Sequence, residues 1–179
     1  METITKTFNV YNFNELSKEV QKKVVEKEEK EIRELEIEDF LKEEMEFYAQ
    51  QLLEENFKNK AIFKNVYYDL SYCQGSGAMI EFDLVYYGKS LSIKHDEYCR
   101  YYHANSFKIV ELDKELTKKQ YETLKEKIYN INKELEKYGY EFIEEDRTDA
   151  AIEQLKDCMF YENGDIYWEV VKYGFNWQH

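Results

Sequence analysis

The sequence predicts an α+β fold: a small antiparallel sheet built from hairpins and packed against several amphipathic helices. Two observations carry this expectation. Apolar residues recur at helical spacing early in the chain, alternate with polar residues in its middle, and return to helical spacing afterwards. Helices and strands that come in separate runs favour α+β over an alternating parallel architecture. A third observation bears on organisation. No internal repeat, linker or composition break divides the 179 residues, so one domain spanning 1–179 is expected.

The elements follow in order. After Phe8 to Phe13, Asn14 or Ser17 can cap a helix from about Glu15 to Lys30, with Leu16, Val20 and Val24 at four-residue spacing. Ile37, Phe40, Leu41, Met45, Tyr48, Leu52 and Leu53 place a second helix from about Glu36 to Asn59. The period then changes. Val66, Tyr68, Leu70 and Tyr72 alternate with polar neighbours, and beyond Gln74-Gly75-Ser76-Gly77 so do Ala78, Ile80, Phe82 and Leu84, which reads as two strands in a hairpin. Ser106 to Leu112 reads as a third strand, with Ser90 to Asn105 open between strand and loop. Leu116, Tyr121, Leu124, Ile128, Ile131, Leu135 and Tyr138 predict a long amphipathic helix capped by Thr117. Arg147 to Met159 suggests a further helix. Phe160 to Glu162 and Ile166 to Val171 flank Asn163-Gly164, the signal of a two-residue hairpin, and the tail Tyr173 to His179, with Phe175 and Trp177, is expected to cover a sheet edge.

Composition excludes several function classes. Hydrophobic residues make up 43% of the chain and charged residues 35%, too apolar for a disordered acidic chain and too charged for a membrane protein. No apolar run approaches the ~20 residues of a membrane helix. Met1 to Val10 carries no apolar signal region, so a cytoplasmic location is expected. Cys73, Cys99 and Cys158 are odd in number and widely spaced, which reads as free thiols. A formal charge of −13 disfavours direct nucleic-acid binding, which needs lysine and arginine to displace counterions, and favours a partner with a basic surface.

Residues 72–78, Tyr-Cys-Gln-Gly-Ser-Gly-Ala, together with Phe13-Asn14-Glu15-Leu16-Ser17, resemble a family of small proteins encoded by bacteriophages and prophages, sometimes labelled antitoxins of toxin-antitoxin systems. The family's Phe-x-Glu-Leu-Ser helix start precedes a strand ending in Ser-Gln-Gly-Asp-Gly-Ala. Its Arg-Tyr-Tyr-His resembles Arg100 to His103, and its closing acidic-Gly turn resembles Glu162 to Asp165. Cys73 stands where the family has serine, and Ser76 where it has aspartate. The resemblance implies a phage-related setting inside a bacterial host, where small acidic proteins include inhibitors of restriction and CRISPR nucleases.

Four candidate sites emerge. Eleven acids against four bases between Glu26 and Glu46 give a local charge of −7. Within that stretch Glu34, Glu38, Glu43 and Glu44 are candidates to imitate a row of phosphates and occupy a basic cleft; the alternative is a solvated helix face. Gln74, Gly75, Ser76 and Gly77 sit where two strands turn, and the two glycines can take positive φ without a Cβ clash, leaving backbone N–H groups free for an anion or partner; the alternative is a plain tight turn with glycine where geometry demands it. Arg100, Tyr101, Tyr102 and His103, with Tyr98, read either as an aromatic and cationic binding surface or as ordinary strand packing. His95, Cys99 and His103 are spaced as metal ligands would be on a helix, but an extended chain would separate them; Cys-His nucleophilic chemistry is a further alternative. The expectation is a protein that is more a binder than an enzyme, with neither cofactor nor metal, directed at a host protein such as a defence nuclease. The alternatives are a binding protein or hydrolase for a nucleotide signal, or an antitoxin neutralising a toxin.

Overall fold

The computed structural model describes residue 7 and residues 9–167. The fold is α+β, with a four-stranded and a two-stranded antiparallel sheet. By its contacts the chain gathers into two compact units, residues 36–145 and residues 1–35 with 146–179.

In the unit of residues 36–145, helix α2 (Leu41–Phe57) buries Leu41, Met45, Ala49, Leu52 and Leu53, a stripe that recurs every three to four residues. The expected continuous helix from Glu36 is interrupted at Phe40. Backbone hydrogen bonds persist on both sides of it (Phe40 N to Glu36 O, 2.9 Å; Glu44 N to Phe40 O, 3.0 Å), while Leu41 turns inward and Phe40 stays exposed. The sheet is a meander, β2 (Ala61–Asp69), β3 (Gly77–Tyr86), β4 (Lys89–His95) and β5 (Phe107–Glu111), in that spatial order. Strand β4 falls within the stretch the sequence left open. It joins β3 through the two-residue turn Tyr87-Gly88, where both residues have positive φ and Tyr86 pairs with Lys89. That is the geometry of a type I′ hairpin, with tyrosine in a position usually given to asparagine or aspartate.

Helix α3 (Lys118–Glu144) begins at Thr117, whose hydroxyl accepts from Gln120 N while Gln120 Oε1 accepts from Thr117 N, the reciprocal capping box. Leu124, Ile128, Ile131 and Leu135 lie on its inner face and share one core with α2 and the sheet. Asn132 is fully buried in that face. Its Oδ1 accepts from Ile80 N (3.1 Å) and its Nδ2 donates to Ala104 O (3.1 Å), tying α3 to β3 and to the loop before β5.

In the other unit, β1 (Tyr11–Asn12) pairs with β6 (Met159–Phe160). A single 3-10 turn over Phe13–Glu15 precedes helix α1 (Lys18–Asp39), which Ser17 caps by accepting from Val20 N. The helix outruns the expected end at Lys30. Ile32 is buried beyond that point, and along the exposed side Lys22–Glu26, Lys27–Glu31 and Lys30–Glu34 pair at i,i+4, each worth at most about 0.3–0.5 kcal/mol. Helix α4 (Thr148–Leu155) contributes Leu155 to a small core with Phe13, Leu16, Val24 and Phe160.

The expected Asn163-Gly164 hairpin forms with a different loop. Gly164 N donates to Tyr161 O, Tyr161 N donates to Asp165 O, and Gly164 has φ +91°, so three residues rather than two close the turn. Val20 and Val24 lie 2.8 Å from where a Gly164 Cβ would stand, and this close approach together with the positive φ demands glycine. Residues 168–171 of the expected strand, the tail Tyr173 to His179 and Phe8 lie outside the described residues.

Candidate functional site

The expected turn and the expected aromatic segment meet. Residues 70–76 close the β2–β3 hairpin, residues 96–106 connect β4 to β5, and the two loops pack on each other through Gly75 and Gly77. A Cβ on Gly75 would lie 2.7 Å from the Tyr101 ring. One on Gly77 would lie 2.7 Å from Tyr102 O and 2.8 Å from His103 Cα. Neither glycine has positive φ; in this loop that conformation falls to Tyr72, at φ +56°. The expected reason for the glycines is therefore corrected: they are small so that another backbone can come close.

The expected anion-binding amides are corrected as well. Ser76 N donates to Cys73 O, Cys73 N to Ser76 Oγ (2.8 Å) and Gly75 N to the Cys73 sulfur (3.3 Å), so the loop uses these N–H groups itself. Gln74 is exposed, Ser76 half-buried, and both glycines are buried.

Across the junction, His103 Nδ1 stands 3.0 Å from Ser76 O, and His95 Nε2 stands 3.4 Å from Tyr101 O. Each imidazole fixes a backbone carbonyl of the junction. This is the reason the Cys-His nucleophile reading finds no support in the contacts of either ring. His95 closes β4, while Cys99 and His103 lie in the following loop rather than on a helix. Among the described residues no three His, Cys, Asp or Glu side chains form a group that could hold a metal ion.

The arrangement separates supporting residues from displayed ones. Tyr102 is half-buried, stacked on Tyr67 with ring centres 5.3 Å apart and edge-on to His95. Tyr67 OH donates to Glu81 Oε2, and His95 N donates to Glu81 Oε1. On the same two loops Tyr98 is 90% exposed, Tyr72 63% and Tyr101 42%, with the Arg100 guanidinium 5.6 Å from the Tyr101 ring centre. Tyr98 is held out by a turn at Asp96, whose Oδ1 accepts from Tyr98 N and whose carbonyl accepts from Cys99 N. Tyr72 OH donates to Glu144 Oε1 at 2.7 Å and its ring meets Tyr140 at 4.7 Å. These contacts place an exposed ring at little remaining entropic cost, a property of residues that anchor protein interfaces.

Cys73 sits at the rim of this platform with its thiol exposed. Hydrogen bonds from Ser71, from the Gly75 amide and from Ser76 hold its pKa below that of an ordinary thiol. Ser71 Oγ is 2.6 Å from Asp69 Oδ1 and 3.2 Å from the sulfur, and one hydroxyl proton cannot serve both at once, so the Gly75 amide is the donor the sulfur keeps when Ser71 turns to Asp69. Ser71 also lowers the Asp69 pKa through its side chain and its backbone N–H.

The acidic candidates divide differently. Glu34 is exposed and 3.6 Å from Lys30; Glu29, Glu31 and Glu46 are likewise paired with Arg33, Lys27 and Lys42. Glu44 is not on the solvent face as expected: it is half-buried and accepts from Tyr138 OH at 2.8 Å. Glu38 and Glu43 are exposed. An open groove of about 400 Å3 between β5 and α3, lined among others by Phe107, Lys119, Glu122 and Tyr129, holds none of the residues singled out in the sequence.

Tyr72 and Cys73 hold positions in this loop beyond the strand end and free thiol that the sequence suggests. Tyr72 carries no signal, since a tyrosine at positive φ contradicts its own propensity. Cys73 had one in the hydroxyl residues two before and three after it. No helix among the described residues is long and apolar enough to cross a membrane. Comparison with protein-family models, with curated proteins and with solved structures gave no match.

Proposed function

We propose that this protein is a binding protein, not an enzyme, that inhibits a host macromolecule by occupying it with the Tyr72, Tyr98, Arg100 and Tyr101 platform. The observation that carries the reading is the convergence of the two loops through Gly75 and Gly77: the loops carry the exposed Tyr72, Tyr98, Arg100 and Tyr101, and the second is anchored by Tyr102, half-buried against Tyr67 and His95. Tyrosine and arginine displayed on a rigid base are the residue types that dominate binding energy at protein interfaces. The net charge of −13 favours a partner with a basic face, and the resemblance to phage proteins supplies the setting, in which a defence nuclease with a nucleic-acid cleft is the partner class.

The test is a tagged pull-down from bacterial lysate treated with nuclease, comparing the wild type with Tyr98→Ala, Arg100→Ala and Tyr101→Ala. One stoichiometric protein, retained by the wild type and weakened roughly 30-fold by an anchor substitution worth about 2 kcal/mol, supports the reading. Co-release of a nucleotide without a protein partner replaces it with the signal-binding alternative.

A further inference from the structure

A second surface lies on α2 and its N-cap, away from the platform residues in sequence. Phe40, Glu43, Phe47, Gln51 and Glu54 recur at three- and four-residue steps, and all five are exposed. Phe40 leaves 52% of its surface open and Phe47 60%, where a phenylalanine on a helix of a folded protein would ordinarily turn inward. Seven residues separate them, about 10 Å along the helix axis at 1.5 Å per residue. Near them in the chain are Glu38 and Asp39 at the end of α1 and Glu43 and Glu54 on α2, all exposed, and among the described residues none of the four has a lysine or arginine in ion-pair contact; Lys42 is taken by Glu46 at 3.7 Å.

We infer that this face of α2 docks a basic amphipathic helix of a partner protein, whose apolar residues cover Phe40 and Phe47 and whose lysines or arginines meet Glu38, Asp39, Glu43 and Glu54. The choice of occupant follows from charge and spacing. Phe47 on α2 and Phe40 at its N-cap, seven residues apart, match apolar positions at i and i+7 on a helix packed alongside. Four unpaired carboxylates around two rings require cations from the partner, and a bare apolar strand or peptide leaves them unmet. A second copy packed through the same face would set the four carboxylates of each copy against those of the other, a like-charge arrangement that disfavours a self-complementary dimer.

The probe is a synthetic peptide with leucines along one helical face and lysines flanking them, titrated into the whole protein and followed by fluorescence anisotropy and by amide chemical shifts. The expected result is saturable binding with shifts centred on residues 38–54. Phe47→Ala weakens it about tenfold or more, and Glu38→Lys, Asp39→Lys and Glu43→Lys together abolish it; all four positions are exposed, so melting temperatures stay near that of the wild type. A control with the same charge change elsewhere, Glu115→Lys, Glu122→Lys and Glu126→Lys, retains most of the binding. Equal loss in the control reduces the effect to net charge and overturns the proposal, as does binding unaffected by Phe47→Ala. Sedimentation showing a dimer that Phe47→Ala dissociates assigns the face to a second copy instead. Tyr98→Ala and Tyr101→Ala leave peptide binding unchanged, so failure here and failure of the platform reading are separable.

Discussion

Replacing Gly77 by alanine tests whether the two loops are docked as described. The added Cβ would stand 2.7 Å from Tyr102 O, 2.8 Å from His103 Cα and 3.1 Å from His103 N, where ordinary contact begins at 3.4 Å. The shortfall of about 0.7 Å is against backbone on every side, so no side chain can swing away to relieve it. Either the loop of residues 96–106 lifts or the start of β3 shifts, and the second option disturbs the Asp69–Gly77 pairing. Overpacking of this kind costs about 1–3 kcal/mol, equivalent to a fall in Tm of about 2–12 °C for a chain of this size. The assay is thermal and urea unfolding of Gly77→Ala and Gly77→Asn. A glycine needed for positive φ tolerates asparagine better than alanine, whereas one needed for close approach rejects both. Gly88 is the internal contrast, with φ +73° and nothing within 4 Å of its Cβ position, so Gly88→Asn is expected to be milder than Gly88→Ala. A Gly77→Asn protein as stable as the wild type would refute the docking argument.

Three further outcomes are expected. Asn132→Leu leaves Ile80 N and Ala104 O without their buried partner and should cost at least about 2 kcal/mol in urea unfolding; a loss within error would mean that water replaces the amide. Burial first, then the hydrogen bond to Glu44, raises the Tyr138 pKa to about 12. The proton is held more tightly in the folded state, so this stabilisation is complete below pH 10 and is lost as pH rises toward 12; phenolate absorbance should show the Tyr138 midpoint falling in Glu44→Ala. Cys73, whose pKa is lowered by its hydrogen bonds, should react with iodoacetamide at neutral pH faster than Cys158, whose pKa is raised by burial, and mass mapping of the alkylated peptides reads the order. Faster labelling at Cys158 would contradict the geometry around Cys73.

Both halves of the platform were visible as segments. The Gln-Gly-Ser-Gly break was legible because glycines interrupt an alternating run, and Arg100 to His103 because tyrosine, arginine and histidine crowd together. Their contact was not legible, since it joins residues about 25 apart whose loop path is set by β4, a strand the sequence left open. The acidic stretch was equally visible, but which acids remain available was not. Glu44 and Glu43 are adjacent in sequence, yet one accepts a hydrogen bond from Tyr138, 94 residues away, and the other faces outward.

Local periodicity and capping are enough to specify the stripes that bury α2 and α3, the Thr117 capping box, and the alternation that pairs β2 with β3. Those features need only a residue and its neighbours within a few turns. The interruption at Phe40, the type I′ turn with tyrosine at positive φ, the inward side of Glu44, and the use of Gly75 and Gly77 for close approach instead of for a left-handed turn are visible only in the folded chain. The last two are settled by atoms distant in the chain, Tyr138 for Glu44 and Tyr101, Tyr102 and His103 for the glycines, because packing outweighs the local preference of a single residue by more than the roughly 1 kcal/mol that preference is worth.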